Sequence, residues 1–292
     1  SYCTFMLLTR VLTLSTLLSN VRLMASFSGS PSTPQGPTYT ITRDSADTIT
    51  ITPRNNPYSA LCVIMHGLGD TSSGFEDVAK MWSQQMPHVK FVLPTAPTQP
   101  VTLNMGMPMP SWYDIEGLDE RTNENCKGIE ESRERILSIL QTEHSTTNLP
   151  YSRMVLSGFS QGGALSLFTG LQTTPSTKLA GVLVMSGYLA GAKQFKLSES
   201  GKSTPTLHCH GTSDPMVLYS MATKTQSILL ESGHTNYTLK PYSGLVHSVS
   251  VEELNDGLEF IKSIIPPSST CEVKGKEPEE MSVKELKEAI RK

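Results

Sequence analysis

The stretch Gly158-Phe159-Ser160-Gln161-Gly162-Gly163 constrains this chain more than any other. Before it runs Arg153-Met154-Val155-Leu156-Ser157, a short apolar and β-branched segment that reads as a buried strand. After it, Ala164-Leu165-Ser166-Leu167-Phe168 reads as the opening turns of a helix. A strand, a tight turn and a helix with G-x-S-x-G at the corner is the setting of a nucleophile elbow. Neighbours without a Cβ let strand and helix pass close together while the serine sits at a strained corner. The corner lifts the Ser160 hydroxyl clear of its own backbone, above a helix N-terminus. The plain alternative is a glycine-rich turn with an ordinary serine, so the elbow has to be judged by its partners elsewhere in the chain.

At 292 residues the chain has room for one large α/β domain or two small ones. Its apolar share of 37% suffices for a substantial core, and 19 prolines with 21 glycines imply many turns. A formal charge of −3 offers no electrostatic case for nucleic acid or an acidic membrane surface. Cys3, Cys62, Cys126, Cys209 and Cys271 are odd in number, scattered and without metal spacing, which suits a reduced intracellular compartment better than a disulfide framework.

Residues 1–36 read as a leader. The leucines of 5–23 are interrupted by Arg10 and diluted by Thr and Ser, too short and broken a run to span a bilayer. No acidic residue precedes Asp44, a composition that suits an organelle transit peptide. The competing reading is that Met24 opens the translated product. A single α/β domain is then expected over 37–266, a charged linker over 267–280, and the start of a helical appendage over 281–292. In that last segment Ser282-Val283-Lys284-Glu285 makes a capping-box pattern, and Val283, Leu286 and Ile290 share a helical face.

Within the domain, strands are expected at 39–41, 48–52, 61–65, 89–93, 153–157, 180–185, 205–209 and 237–240. Helices are expected at 75–85, along the face marked by Ile129, Ile136, Leu137 and Leu140, after the elbow, at 221–230 and at 251–264. Alternating strands and helices predict an α/β fold, a mainly parallel central sheet with helices on both faces. Residues 94–110 read as a long loop. Leu103, Met105, Met107 and Met109 alternate with polar or small residues, the period of an extended segment with one apolar face. Such flexible thioethers make either an adaptable wall for an acyl tail or an edge packed on the domain body.

A serine hydroxyl needs a base to take its proton, and the base needs a third group to hold its tautomer. In this kind of fold the chain order is serine, acid, histidine. His208 and His210 lie on a strand and at its exit, are expected on opposite faces, and read as structural; His234 sits in a turn. His247 lies on a loop beyond a strand and before the last helix, where a triad histidine belongs. Asp214 follows the 205–209 strand through a turn, whereas Asp256 lies within the closing helix and reads as a surface charge. The oxyanion of a tetrahedral intermediate needs two backbone donors. These are expected from Gln161, directly after the nucleophile, and from Leu68 in His66-Gly67-Leu68-Gly69-Asp70, where glycines let the backbone turn inward.

With these residues assembled, the chain resembles the acyl-protein thioesterases of the carboxylesterase/lysophospholipase-like branch of the α/β-hydrolases. The resemblance rests on His66-Gly67-Leu68-Gly69-Asp70, Pro94-Thr95-Ala96-Pro97, Pro100-Val101-Thr102-Leu103-Asn104-Met105 and Met109-Pro110-Ser111-Trp112-Tyr113-Asp114-Ile115. It continues through Gly158 to Gly163, Cys209-His210-Gly211 with Asp214, and Gly244 to Ser248, spanning about 40–266 in family order. It implies an α/β-hydrolase fold, cytosolic serine-hydrolase activity on palmitoyl groups of protein cysteines, and action on lysophospholipids and simple esters. It maps the triad to Ser160, Asp214 and His247, the oxyanion hole to Leu68 and Gln161, and an acyl channel to Leu103, Met105, Met107, Met109 and Trp112. Two stretches depart from the family pattern: Asp214-Pro215-Met216-Val217-Leu218 lacks the further proline the family commonly has shortly after Asp-Pro, and Ser186-Gly187-Tyr188-Leu189 lacks a tryptophan often found there.

The expected partners are S-acylated proteins or lysophospholipids, with transient contact at a membrane surface, no nucleic acid, and a monomer or weak dimer. No metal or cofactor is required by this chemistry. A lysophospholipase or general carboxylesterase is the enzymatic alternative, and a non-catalytic lipid-binding protein the alternative from another class.

Overall fold

In the computed structural model the described residues are 38–54, 57–117 and 125–274. The leader expected over 1–36 and the helical appendage expected over 281–292 lie outside them. The chain enters by an antiparallel pair, β1 (Tyr39–Arg43) and β2 (Ile49–Pro53). Ile49 and Ile51 alternate with threonines and turn inward, as a strand with one buried face requires. Next comes β3 (Ala60–Met65), buried at every residue. Helix α1 (Glu76–Gln85) then crosses over to β4 (Val89–Leu93), which pairs in parallel with β3.

A small hairpin of β5 (Thr98–Val101) and β6 (Met107–Pro110) follows, then the long helix α2 (Ile129–Thr147). Strand β7 (Met154–Phe159) leads into α3 (Gln161–Gly170), and β8 (Gly181–Met185) lies beside β7. The chain closes with β9 (Thr206–Gly211), α4 (Tyr219–Glu231), β10 (Tyr237–Tyr242) and α5 (Val251–Ile264). The eight-stranded sheet has the order β1-β2-β4-β3-β7-β8-β9-β10. From β4 to β10 every neighbouring pair is parallel.

The continuous apolar run in β3 serves two cores at once. Cys62 and Ile64 face Val78 and Trp82 of α1 and Leu258 and Ile261 of α5. Leu61, Val63 and Met65 face Ile136 and Leu140 of α2 and Leu165 and Phe168 of α3. Period-two alternation in a strand covered on both sides therefore looks like unbroken hydrophobicity in sequence. Helix α3 is buried around its whole circumference, which explains why it carries no charged side chain.

Three expectations are revised. The segment 94–110 is not one extended loop: β5 and β6 pair from Thr98–Pro110 to Val101–Met107, across a single turn of 3-10 helix at Thr102–Asn104. Leu103 lies in that turn and Met105 adopts φ 55° just after it, so the apolar alternation does not describe one face. The chain also stays on the domain past 266. Ser268 N–H donates to Ser59 Oγ at 3.2 Å, and Val273 N–H donates to the Tyr58 carbonyl at 2.7 Å, so the start of the expected linker is packed. Finally, β9 runs on through His210 to Gly211. Because the strand period extends that far, His208 and His210 point to the same face rather than opposite ones.

Candidate active site

Parallel strands deliver all their C-terminal ends to one edge of the sheet, and ligands of open α/β sheets bind there. Ser160 follows β7, Asp214 follows β9, His247 follows β10, and the glycine-containing turn of residues 66–70 follows β3. One edge thus collects groups that are far apart in sequence.

The elbow is built by close approach. A Cβ on Gly158 would lie 2.3 Å from the Gly162 backbone, and a Cβ on Gly162 would lie 2.2 Å from the Met65 carbonyl oxygen. Ser160 itself holds φ 54° and ψ −119°, outside the regions open to an ordinary residue. Its amide donates to the Met185 carbonyl at 2.8 Å, and its carbonyl accepts from Ala164 N–H at 2.9 Å. The strain is held from both sides by β8 and α3.

The hydroxyl of Ser160 donates to His247 Nε2 at 3.0 Å, and His247 Nδ1–H donates to Asp214 Oδ2 at 2.7 Å. Asp214 Oδ1 accepts from Met216 N–H at 2.8 Å and Val217 N–H at 2.9 Å. Burial alone would raise the Asp214 carboxyl. The hydrogen bond and charge of His247 and the two amides outweigh that and hold it below the usual carboxylate value. The loops carrying acid and base are tied together: Thr212 N–H donates to the Tyr242 carbonyl at 2.9 Å and Ser213 N–H to the Leu245 carbonyl at 3.1 Å. On its other side the His247 ring packs against Phe159, centroids 4.9 Å apart.

The Leu68 turn lies against the nucleophile, since a Cβ on Gly67 would stand 3.4 Å from Ser160 Cβ. His66 Nε2 accepts from Ala96 N–H at 2.9 Å, so its proton sits on Nδ1 and is donated to the Gly67 carbonyl at 2.7 Å. Asp70 N–H also donates to that carbonyl, at 3.2 Å. In a trans peptide, pinning the carbonyl of Gly67 pins the Leu68 N–H in the opposite direction. Burial holds the His66 imidazole below its usual value, against the pull of the Gly67 carbonyl, which favours the neutral tautomer this arrangement needs. Gln161 N–H opens α3 and is one of the donors a helix start leaves unpaired.

The Gln161 side chain has a role that its backbone assignment does not suggest. Its Nε2 donates to the Tyr113 carbonyl at 2.7 Å and to Ser111 Oγ at 3.0 Å, while Oε1 accepts from Trp112 N–H at 2.9 Å. This bolts the nucleophile helix to the 111–113 segment. The signal in sequence is a lone amide at the head of a helix whose other residues are small or apolar apart from Ser166 and Thr169. Trp112, expected in the acyl channel, is fully buried, with its indole N–H donated to the His66 carbonyl at 2.8 Å. It supports the turn from beneath and has no surface free for a ligand in this conformation. Leu103, Met105 and Met107 stand exposed on the β5–β6 hairpin, Met105 at 74%. Met109 reaches back, its sulfur 3.5 Å from where a Gly69 Cβ would lie, and Gly69 N–H docks the hairpin on the Pro110 carbonyl at 2.9 Å.

Among the described residues, no cluster of three or more His, Cys, Asp or Glu is arranged to hold a metal ion. No helix among them is long and apolar enough to cross a membrane.

The sequence profile of the phospholipase/carboxylesterase family matches residues 46–265. The chain belongs to that family. Among its relatives, acyl-protein thioesterase 1 of Mycosarcoma maydis is 40% identical over 235 residues, 75% of this chain and 97% of that protein. Acyl-protein thioesterase 1 homolog 1 of Dictyostelium discoideum is 38% identical over 210 residues, 72% of this chain and 92% of the relative. Solved structures agree. Zea mays acyl-protein thioesterase 2 superposes with a TM-score of 0.66 at 26% identity, covering 75% of this chain and 98% of that one. Arabidopsis thaliana SOBER1 gives 0.62 at 30% identity, with coverages of 70% and 99%. The α/β-hydrolase architecture of this phospholipase/carboxylesterase member is thus shared with its relatives across nearly their whole length.

Proposed function

We propose that this chain is an acyl-protein thioesterase: a serine hydrolase that releases long-chain acyl groups from protein cysteines. Ser160 is the nucleophile, His247 the general base and then general acid, and Asp214 the group that orients and stabilises the imidazolium. The observation that carries the reading is one imidazole bonded on one side to the elbow serine and on the other to a buried carboxylate. The match to relatives named acyl-protein thioesterase supplies the substrate class.

In acylation Ser160 Oγ attacks the thioester carbonyl as its proton passes to His247 Nε2, and Leu68 and Gln161 N–H groups receive the oxyanion. Collapse expels the cysteine sulfur, which takes the proton from His247. Water then attacks the acyl-serine by the same route and releases the fatty acid. Leu103, Met105, Met107 and Met109 offer apolar surface to the acyl chain or to a membrane from which the substrate is drawn. A cytoplasmic setting, with the chain acting as a monomer or weak dimer, completes the proposal.

The family's phospholipase side supports a second reading, lysophospholipid hydrolysis by the same triad, since oxygen esters and thioesters pass through the same tetrahedral geometry. The test compares palmitoyl-thioester, lysophospholipid and short-ester turnover by one purified sample, with Ser160→Ala beside it. Thioester turnover should lead, and Ser160→Ala should abolish all activities and labelling by a fluorophosphonate. Substantial residual hydrolysis by that variant would remove Ser160 from the mechanism.

A further inference from the structure

His208 and His210 stand on the same face of β9, both fully buried, and the mechanism above uses neither ring. His210 Nε2 lies 2.8 Å from the Val217 carbonyl, and its Nδ1 lies 3.3 Å from His208 Nε2. His208 Nδ1 lies 2.5 Å from the Tyr237 hydroxyl on the neighbouring strand. The Gly187 carbonyl also accepts from the His208 ring, and together these contacts assign the protons. The Val217 carbonyl can only accept, so His210 carries its hydrogen on Nε2. A neutral His210 then accepts at Nδ1, and the donor is His208 Nε2–H. His208 Nδ1 is left as an acceptor, which the Tyr237 O–H fills.

Burial keeps the row in these states. It pushes His208 down to about 3, with His210 adding to the effect, and holds His210 below the ordinary imidazole value. It also pushes the Tyr237 hydroxyl up, so that group keeps its proton. The result is a one-way series of donors, Tyr237 to His208 to His210 to Val217, each polarising the next.

The series ends on the turn that carries the acid. Both backbone polar groups of Val217 are held: its N–H donates to Asp214 Oδ1 at 2.9 Å and its carbonyl accepts from His210. The His210 Nε2 also sits 3.7 Å from Asp214 Oδ2, the oxygen that receives His247. Polar side chains in a sheet core cost free energy unless they are bonded. Here that polar investment runs along the strand that delivers the acid.

We propose that Tyr237, His208 and His210 form a positioning relay for catalysis, in which His210 fixes the 214–217 turn so that Asp214 meets His247 in the reacting geometry. This rests on the triad reading of Ser160, His247 and Asp214. His210 and its relay partners are positioning residues, acting through Asp214.

The test uses three variants of the full chain: His210→Phe, which fills the space without the donor; His210→Gln, which can return an N–H near the Nε2 position; and Tyr237→Phe, which removes one hydroxyl at the far end. Turnover of a short ester, KM, the thermal midpoint and the low-field proton resonance of the His247–Asp214 hydrogen bond are measured for each. His210→Phe should lose about tenfold in kcat at unchanged KM, by analogy with the outer partners that orient metal-ligating side chains. His210→Gln should recover part of that loss. Tyr237→Phe should lose about threefold, and the low-field resonance should move or broaden in step with kcat. A folded His210→Phe protein with wild-type kcat and an unmoved resonance overturns the relay. If His210→Phe does not fold, a folded Tyr237→Phe protein with wild-type kcat and resonance overturns it. Failure of the triad reading is a separate result, seen as activity surviving Ser160→Ala.

Discussion

Asp214 divides its two oxygens: Oδ2 takes the Nδ1–H of His247 at 2.7 Å, while Oδ1 takes the Met216 and Val217 amides at 2.8 and 2.9 Å. The same carboxylate therefore shapes its own turn and sets the tautomer of the base. Asp214→Asn separates these duties. The amide oxygen can keep the turn by accepting from Met216 and Val217, which leaves the NH2 group facing His247 Nδ1. A donor there forces the proton onto Nε2, where the Ser160 hydroxyl needs an acceptor. We expect a folded protein with kcat down by about 10⁴-fold, the scale of the equivalent change in a serine protease triad. Steady-state kinetics with circular dichroism checks it; a loss below about tenfold would show that the acid is not needed to hold the tautomer.

Acid should inactivate the enzyme through the imidazole and not through the carboxylate. Asp214 is held below the ordinary carboxylate value, so it stays ionised well into the acid range. A protonated His247 cannot accept the Ser160 proton, so the base fails in acid while its carboxylate partner is still ionised. kcat/KM should fall as the pH is lowered with the protein still folded, and fluorophosphonate labelling should fall in parallel. A flat profile would remove His247 as the base.

Glu253 makes stability depend on pH in the opposite sense. It closes the capping box at the start of α5, with its own N–H donated to Ser250 Oγ at 3.1 Å, yet its carboxyl is fully buried and Oε1 has no partner. Burial pushes its pKa up to about 8, only partly offset by the Ser250 amide, with Asp214 and Asp256 adding to the rise. The folded protein therefore keeps this proton while the unfolded chain, with an ordinary carboxyl near about 4.3, releases it. Stability from this group is complete below the unfolded value and declines as pH rises towards the folded one. Glu253→Gln should leave the thermal midpoint nearly unchanged at about pH 4 and raise it by several degrees at about pH 8, since each kcal/mol is worth about 2–4 °C in a domain of this size. Calorimetry at both pH values checks this; an equal shift at the two would mean the charge is not the cause.

Much of this molecule is legible from one-dimensional pattern. The helix at Val251–Ile264 has the bounds its apolar face suggests, because Ser250 and Glu253 mark its start and Pro266 follows its end. The β7–α3 corner is legible because glycine is the residue that fits where Gly158 and Gly162 touch backbone. The order Ser160, Asp214, His247 follows from loops that leave β7, β9 and β10 at one edge.

Other features depend on what a side chain meets. Nothing local says that Trp112 turns inward under His66 while Met105, a few residues earlier, faces outward. The β5–β6 pairing is hidden by prolines at 100, 108 and 110, which weaken the usual strand signal. The reach of β9 to Gly211, and with it the facing of His208 and His210, is settled by parallel pairing with β10 as far as Tyr242–Gly211. Local steric preference and hydrophobic period, which need only neighbouring residues, thus carried the strands, helices and nucleophile corner. Register and hydrogen-bond partners come from residues distant in the chain, and they alone brought His247 within 3.0 Å of Ser160.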